Sequence, residues 1–318
     1  MKVKLIKDLD EVEISNFKKS KLYSSINNNW SNTDSYIEYN KEYFNNNFED
    51  QSLVVFMNNE FYIAMISFSN DNILSYFGEP LYIIDSNEYS ANLNLAYNVF
   101  YKKLSSIKKD HGFNKVYLYE NTKIISKFSD SIITNSHNYQ MYIDLSQSEE
   151  LIKMNIRKSF KSLINWGNKN LQIDLIDSRN LDKIKFNSFR DFHAKVSGRK
   201  TRSDKTWELQ YNAIINNEAY LTIGNLNGLL VSGAYIVHGT GIACYGVAVN
   251  DRELMAEKLP IGHSILFNSI IQAKKKGLNK FVVGDYSYVE DEKINAITKY
   301  KKGFVNSMSL KPKYLIEL

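Results

Sequence analysis

The chain holds one cysteine, three prolines and five histidines in 318 residues. A single thiol, Cys244, excludes an internal disulfide and a cysteine-rich metal cage, and it suits a reducing compartment. It lies within the apolar run IACYGVAV, which makes it a small core residue rather than a nucleophile. His193, His238 and His263 have no spacing that builds a metal site or a Ser-His pair, so no metal is assigned. Long hydrophobic runs are missing as well. No window approaches the roughly 18 consecutive apolar residues of a membrane span. The opening MKVKLIKDLDEVE is too charged for a signal peptide. These absences predict a cytoplasmic protein with no integral membrane segment.

What is present is a hydrophobic content of 43%, enough for a large core, in a length that favours two domains over one. The net charge of +5 is unevenly spread: residues 151–205 carry 14 Lys and Arg against 5 Asp, leaving the rest slightly acidic. Such a basic segment suits phosphates of a nucleotide or an RNA, and it equally describes a solvated lysine-rich face.

The first half begins with a strand and a polar, aromatic-rich helical region to about Phe48. QSLVVFMNNEFYIAMISFS then reads as two strands around the turn Asn58-Asn59. A further strand, ILSYFGEPLYI, is interrupted by Gly78 and Pro80. SANLNLAYNVFYKKLSSIKKDHG follows as a helix with Leu95, Val99 and Leu104 near helical spacing and Gly112 as its stop. NKVYLYE and YQMYIDLS are strands. The second half repeats the theme, opening with one helix from about Glu149 to Lys169 that places Ile156, Phe160 and Leu163 on one face and Lys153, Arg157 and Lys161 on another. A helix from Asp182 to about Val196 follows, then a third capped by Ser203 or Asp204. EAYLTIGNLNGLLVSGAYIVHGTGIACYGVAV supplies a meander turning at Asn227-Gly228 and at residues 239–241. A helix between Pro260 and Gly277 and the strand LNKFVVGD close the pattern. The order suggests two related α+β domains with a junction near residues 146–150.

Two segments resemble Fem-type (FemABX-like) aminoacyltransferases. MYIDLSQSEELIKMNIRKSFKSLINWGNKNLQI is similar to the stretch that enters that family's second domain. LPIGHSILFNSIIQAKKKGLNKFVVGD followed by ITKYKKGFV is similar to its end, where an aromatic-Lys-x-Gly-Phe motif follows a helix and a strand. The resemblance covers about residues 140–305. It implies two tandem Gcn5-related acetyltransferase-like domains with mostly antiparallel central sheets around a shared cleft, 1–146 (with 306–318 returning to it) and 147–305. It also implies an N-acyltransferase that moves an aminoacyl group from aminoacyl-tRNA to an amine of a cell-envelope glycan or peptidoglycan precursor. Small-molecule or lipid-linked glycan precursors and tRNA would be its partners, DNA would not, and work at the inner face of the membrane would fit a lipid-linked acceptor.

By that resemblance Tyr300-Lys301-Lys302-Gly303-Phe304 places Lys301 near the transferred acyl group, where a fixed ammonium stabilises the tetrahedral oxyanion of aminolysis. Lys299, Lys301 and Lys302 read equally as cations complementing a helix C-terminus. Asp285, at the end of a strand, is a candidate base for the acceptor amine or a turn cap. Tyr245 aligns with a cleft tyrosine of the family or packs in a core. In SGRKTRS, Arg199, Lys200 and Arg202 offer donors suited to a diphosphate, Arg199 first. Arg157 and Lys161, four residues apart, suit nucleotide or RNA phosphates, and Trp207 suits a sugar or base, or helix packing.

Acyl-CoA acetyltransferases carry a glycine-rich loop of the type Arg/Gln-x-x-Gly-x-Gly/Ala that holds the CoA diphosphate. Here KLPIGHS retains only Gly262, which favours aminoacyl-tRNA over acyl-CoA as donor and requires no bound cofactor. An acyl-CoA-dependent N-acetyltransferase acting on a nucleotide-linked amino sugar is the alternative enzyme. A non-catalytic nucleic-acid or glycan-binding protein is the alternative from another class.

Overall fold

The computed structural model describes residues 1–86, 91–287 and 291–318. The chain divides into two compact units, one of residues 1–28, 44–138 and 310–318, the other of residues 29–43 and 139–309.

The first unit opens with β1 (Lys2–Leu5), α1 (Glu11–Lys18) and α2 (Lys21–Asn27). α3 (Asp34–Tyr43) belongs to the second unit. The first unit continues with β2 (Glu49–Asp50), β3 (Leu53–Met57), β4 (Glu60–Met65), β5 (Phe68–Asn70), β6 (Ile73–Ser75), β7 (Ile83–Asp85), α4 (Ala91–His111), β8 (Lys115–Tyr119) and α5 (Thr122–Lys127). β9 (Ile132–Asp144) runs into the second unit, which adds α6 (Glu149–Asn155), α7 (Lys158–Asn170), β10 (Gln172–Ile176), α8 (Lys183–Ser197) and α9 (Asp204–Ile215). Then come β11 (Ala219–Leu226), β12 (Leu229–His238), β13 (Ile242–Asn250), α10 (Arg252–Ala256), α11 (Ile261–Lys275), β14 (Lys280–Tyr286) and α12 (Glu292–Lys302). β15 (Ser307–Glu317) takes the chain back to the first unit.

In the first unit, β1, β3, β4 and β7 form an antiparallel sheet. The β3–β4 turn is the expected Asn58-Asn59 pair, both left-handed at φ 51° and 64°, as a two-residue hairpin turn requires. The expected strand over residues 73–83 is instead two, because the interruption at Gly78 and Pro80 sends β6 to pair with β5 and β8, and β7 with β4. α4 packs Leu93, Ala96, Tyr97, Phe100, Leu104 and Ile107 into the core and leaves Leu95 47% exposed. Of the expected positions Leu104 is buried and Val99 packs against the core, while Leu95 gives way to Leu93 and Ala96. Ser90, the expected first residue of that helix, lies outside the described residues.

The second unit contains the meander β10-β11-β12-β13, all antiparallel, then β14 parallel to β13 and β9 antiparallel to β14. Asn227 and Gly228, both left-handed, make the β11–β12 turn. Parallel pairing of β13 with β14 joins Ile242–Cys244 to Lys280–Val282. α11 is buried along most of its length, and Gly167 of α7 admits it so closely that a Cβ there would lie 2.2 Å from Ser264 Oγ. Ser203 caps α9 by accepting from the Thr206 N–H at 3.1 Å.

The single helix expected from Glu149 to Lys169 is two. Ile156 is extended (φ −64°, ψ 140°) and only 2% exposed. Arg157 then precedes α7 and donates its N–H to the Gly303 carbonyl at 2.9 Å. The extended Ile156 interrupts the helix, so Lys153 on α6, Arg157 at the junction and Lys161 on α7 do not share one helical face.

Candidate functional site

The site lies within the second unit, where the β13–β14 pairing gives way. β13 carries Cys244 and Tyr245, β14 carries Gly284 and Asp285, and α12 sends Lys301 between them. The Lys301 ammonium lies 5.7 Å from the centre of the Tyr245 ring. Gly284, at φ +127°, leaves space for it, since a Cβ there would meet Nζ at 2.9 Å. Lys301 is half-buried, whereas Lys299 and Lys302 are exposed. Burial holds its pKa below the ordinary lysine value, against the opposing influence of Cys244 and the Asp285 carboxylate. The Tyr245 phenol is raised by burial. Burial pushes the Cys244 thiol up to about 12, so it is protonated at neutral pH and no nucleophile. Cys244 is nonetheless not a plain core residue, because it lines the cavity described next.

That cavity, of about 270 Å³, is enclosed by α3, α9 and the strands β12 and β13. Its wall includes Trp30, Tyr36, Tyr39, Arg202, Tyr235 and Tyr245. α3 and α9 run in opposite directions and are tied at successive turns. Ser35 N–H donates to Glu218 at 3.0 Å, the Tyr39 hydroxyl accepts from Arg202 Nε at 2.9 Å, and Lys205 pairs with Glu42 at 2.7 Å. Trp30 meets Tyr36 edge-on at 4.8 Å, and Tyr36 stacks with Tyr39 at 6.0 Å. Burial raises both phenols, with Arg202 opposing it at Tyr39. The Gln210 side chain also lines the cavity, 5% exposed and with no partner for Oε1. An aromatic box with one guanidinium, the Glu218 carboxylate and one unsatisfied amide suits a small polar ligand.

Of the residues expected from sequence, Lys301, Asp285 and Tyr245 are brought together, and Arg202 reaches the cavity beside them. Arg199 is exposed and away from the cavity wall, and Lys200 pairs with Asp204 at 2.9 Å on the surface. Trp207 is 4% exposed and packs on Phe186 and Phe189, with the Arg202 guanidinium 5.5 Å from its ring. Its place is the core. Lys161 donates to the Met154 carbonyl at 3.1 Å, while Arg157 turns towards Lys299 and Lys302. Sequence reasoning missed Trp30, Tyr36, Tyr39 and Gln210. The only signal was tyrosine at positions 36, 39 and 43, spaced along one helix face, in a stretch recognised as aromatic-rich but given no role.

No family model matches the chain, and no curated protein matches it. Among solved structures, FemX superposes with a TM-score of 0.70 at 11% identity, covering 100% of this chain and 98% of its own. The chain has the fold of FemX. The same FemX-like fold is matched, at a TM-score of 0.55 and 9% identity, by the C-terminal domain of a putative lysylphosphatidylglycerol synthetase from Agrobacterium fabrum, over 95% of this chain and 92% of that one. A GNAT-family acetyltransferase from Colwellia psychrerythraea matches over the whole of both chains with a TM-score of 0.51 and 11% identity. The expected α+β class of acetyltransferase type, with mostly antiparallel sheets, is thus the observed one. Among the described residues no helix is long and apolar enough to cross a membrane.

Proposed function

We propose that the chain is an N-acyltransferase that moves an aminoacyl group from aminoacyl-tRNA to an amine of a cell-envelope glycan or peptidoglycan precursor. The observation that carries this reading is the half-buried Lys301 ammonium held over Tyr245 where the β13–β14 pairing gives way. A cation removed from water is costly to keep without a task, and a developing oxyanion is a task that fits it. The FemX-like fold and its acyltransferase relatives support the same chemistry.

In the proposed step the acceptor amine attacks the ester carbonyl, and Lys301 stabilises the resulting oxyanion. The C–N bond forms and the bond to the ribose oxygen breaks. The amine gives up its proton, with Asp285 as the acceptor group, and the departing ribose oxygen takes one up. Arg202 and the aromatic cavity bind the acceptor's anionic part, and Tyr245 positions the reacting groups.

A donor of acyl-CoA type is the second reading. It is favoured by the start of α11, whose N-cap Pro260 supplies no side-chain acceptor and leaves first-turn N–H groups for a diphosphate. Incubating the purified chain with charged tRNA or acetyl-CoA and with UDP-linked amino sugars or muropeptide precursors, followed by mass spectrometry, separates the two. Gain of an aminoacyl group from charged tRNA supports the first reading. Gain of an acetyl group alone replaces it with the second. Acceptor or nucleic-acid binding with no product, unchanged by Lys301→Ala, points to a binding protein.

A further inference from the structure

Helix geometry sends the three lysines near the end of α12 in different directions. Lys301 turns inward to Tyr245, and Lys299 and Lys302 face solvent. The break after α6 brings a third exposed cation, Arg157, to the same place, its N–H bonded to the Gly303 carbonyl and its guanidinium 5.6 Å from the Phe160 ring. Asn155, Arg157, Lys299, Lys302 and Gly303 line a hollow of about 340 Å³.

Among the described residues no carboxylate lines this hollow, and none of its three cations forms an ion pair. Some surface cations of the basic segment are, by contrast, matched by carboxylates. Lys183 pairs with Glu208 at 2.7 Å, Lys185 with Asp174 at 3.0 Å and Lys200 with Asp204 at 2.9 Å. Three convergent positive charges repel one another, and a bound anion relieves that repulsion. The hollow also adjoins the reacting centre. Gly284 and Tyr286 share a face of β14, and Lys301 lies by the first while the Lys302 ammonium lies 5.1 Å from the ring of the second.

We propose that this hollow binds a backbone phosphodiester at the 3′ end of an RNA donor, next to the ester that reacts at Lys301. The inference rests on the aminoacyl-tRNA reading above. In an aminoacyl-RNA the ester sits on the terminal ribose, and the first phosphodiester is one sugar away. In an acyl-CoA a whole pantetheine arm separates thioester from diphosphate. Lys301 at the reacting centre and Lys302 on the hollow are consecutive residues of α12, which suits the first spacing better than the second.

The test compares wild type with the triple variant Arg157→Gln, Lys299→Gln, Lys302→Gln. Binding of tRNA is followed by fluorescence anisotropy over a salt series, and KM for charged tRNA is measured in parallel. Removing the three cations around one phosphodiester is expected to weaken binding at least about tenfold at low salt, flatten the slope of log K against log salt by about one, and raise KM. A variant with wild-type affinity, salt slope and KM overturns the hollow and leaves the transfer reaction standing. A wild-type protein that binds no tRNA and transfers from acetyl-CoA overturns both. Binding of vesicles containing anionic phosphatidylglycerol through these three residues, without RNA binding, also overturns the hollow.

Discussion

Lys301 and Lys302 are adjacent in sequence yet meet different surroundings, since consecutive helical residues point about 100° apart. Replacing Lys301 by methionine keeps the length of the side chain and removes the charge. Acyl transfer is expected to fall about 100- to 1,000-fold, the usual cost of losing an oxyanion partner, while the melting temperature stays level or rises because a desolvated charge has gone. A parallel loss of stability and activity would make Lys301 structural. The pH dependence has a definite sign. Burial lowers the folded-state pKa of Lys301 below the ordinary value of 10.5, so the unfolded chain binds more protons between the two values. Its contribution to stability therefore rises with pH across that window, whereas transfer, which needs the ammonium, declines with pH through the lowered folded-state pKa. A rate profile and a denaturation series on wild type and Lys301→Met measure the two trends. Which lysine turns inward was legible only through the motif resemblance, because three lysines near a helix end are otherwise alike. The inward direction of Lys301 depends on Gly284 and Tyr245, which are distant in sequence.

Glycine 303 shows how one residue couples elements. It ends α12, its carbonyl receives the Arg157 N–H, and a Cβ on it would lie 2.1 Å from the Phe160 ring. Gly303→Ala is therefore expected to lower stability by about 1–3 kcal/mol, as overpacked cores do, and to displace the α6–α7 junction that positions Arg157. Urea denaturation measures the first effect and tRNA affinity the second. The pairing of α3 with α9 is a second coupling. Tyr39→Phe removes the acceptor for Arg202 Nε while keeping the ring, so acceptor KM should rise several-fold as the guanidinium loses its orientation. An unchanged KM would show that Trp207 and the Thr201 hydroxyl hold Arg202 without Tyr39. Helices and turns were well read from sequence wherever a local signal specified them: Ser203, one of two candidates, as a cap, Asn58-Asn59 and Asn227-Gly228 as turns, Gly112 and Gly277 as stops. The break at Ile156 was not, since the carbonyl that receives the Arg157 N–H there belongs to Gly303, far along the chain.

For the whole molecule, the second unit is built from discontinuous segments. A fragment of residues 147–305 would lack α3, which walls the cavity, and the end of β9, whose Met141 and Ile143 are core residues. It is expected to give no cooperative thermal transition by circular dichroism, unlike the full chain. Acid should also weaken the full chain. His238 is 4% exposed, and burial lowers its pKa to about 4 from the usual 6.5. The unfolded state thus takes up a proton that the folded state refuses between those values. Stability falls as pH drops from 6.5 to 4, by up to about 3 kcal/mol. His238→Gln, measured across that range, should flatten this part of the profile.

The sequence alone determined the class of fold, the meander with its turns, the helix caps and the basic character of residues 151–205, because each depends on neighbours within a few positions or on composition. Tertiary structure decided which lysine is withdrawn from water, which arginine reaches the cavity, and that residues 29–43 join the second unit. Those outcomes are set by partners outside the local stretch, Gly284 and Tyr245 for Lys301, Tyr39 for Arg202 and Glu218 for Ser35, and only packing selects among side chains that local rules leave equivalent.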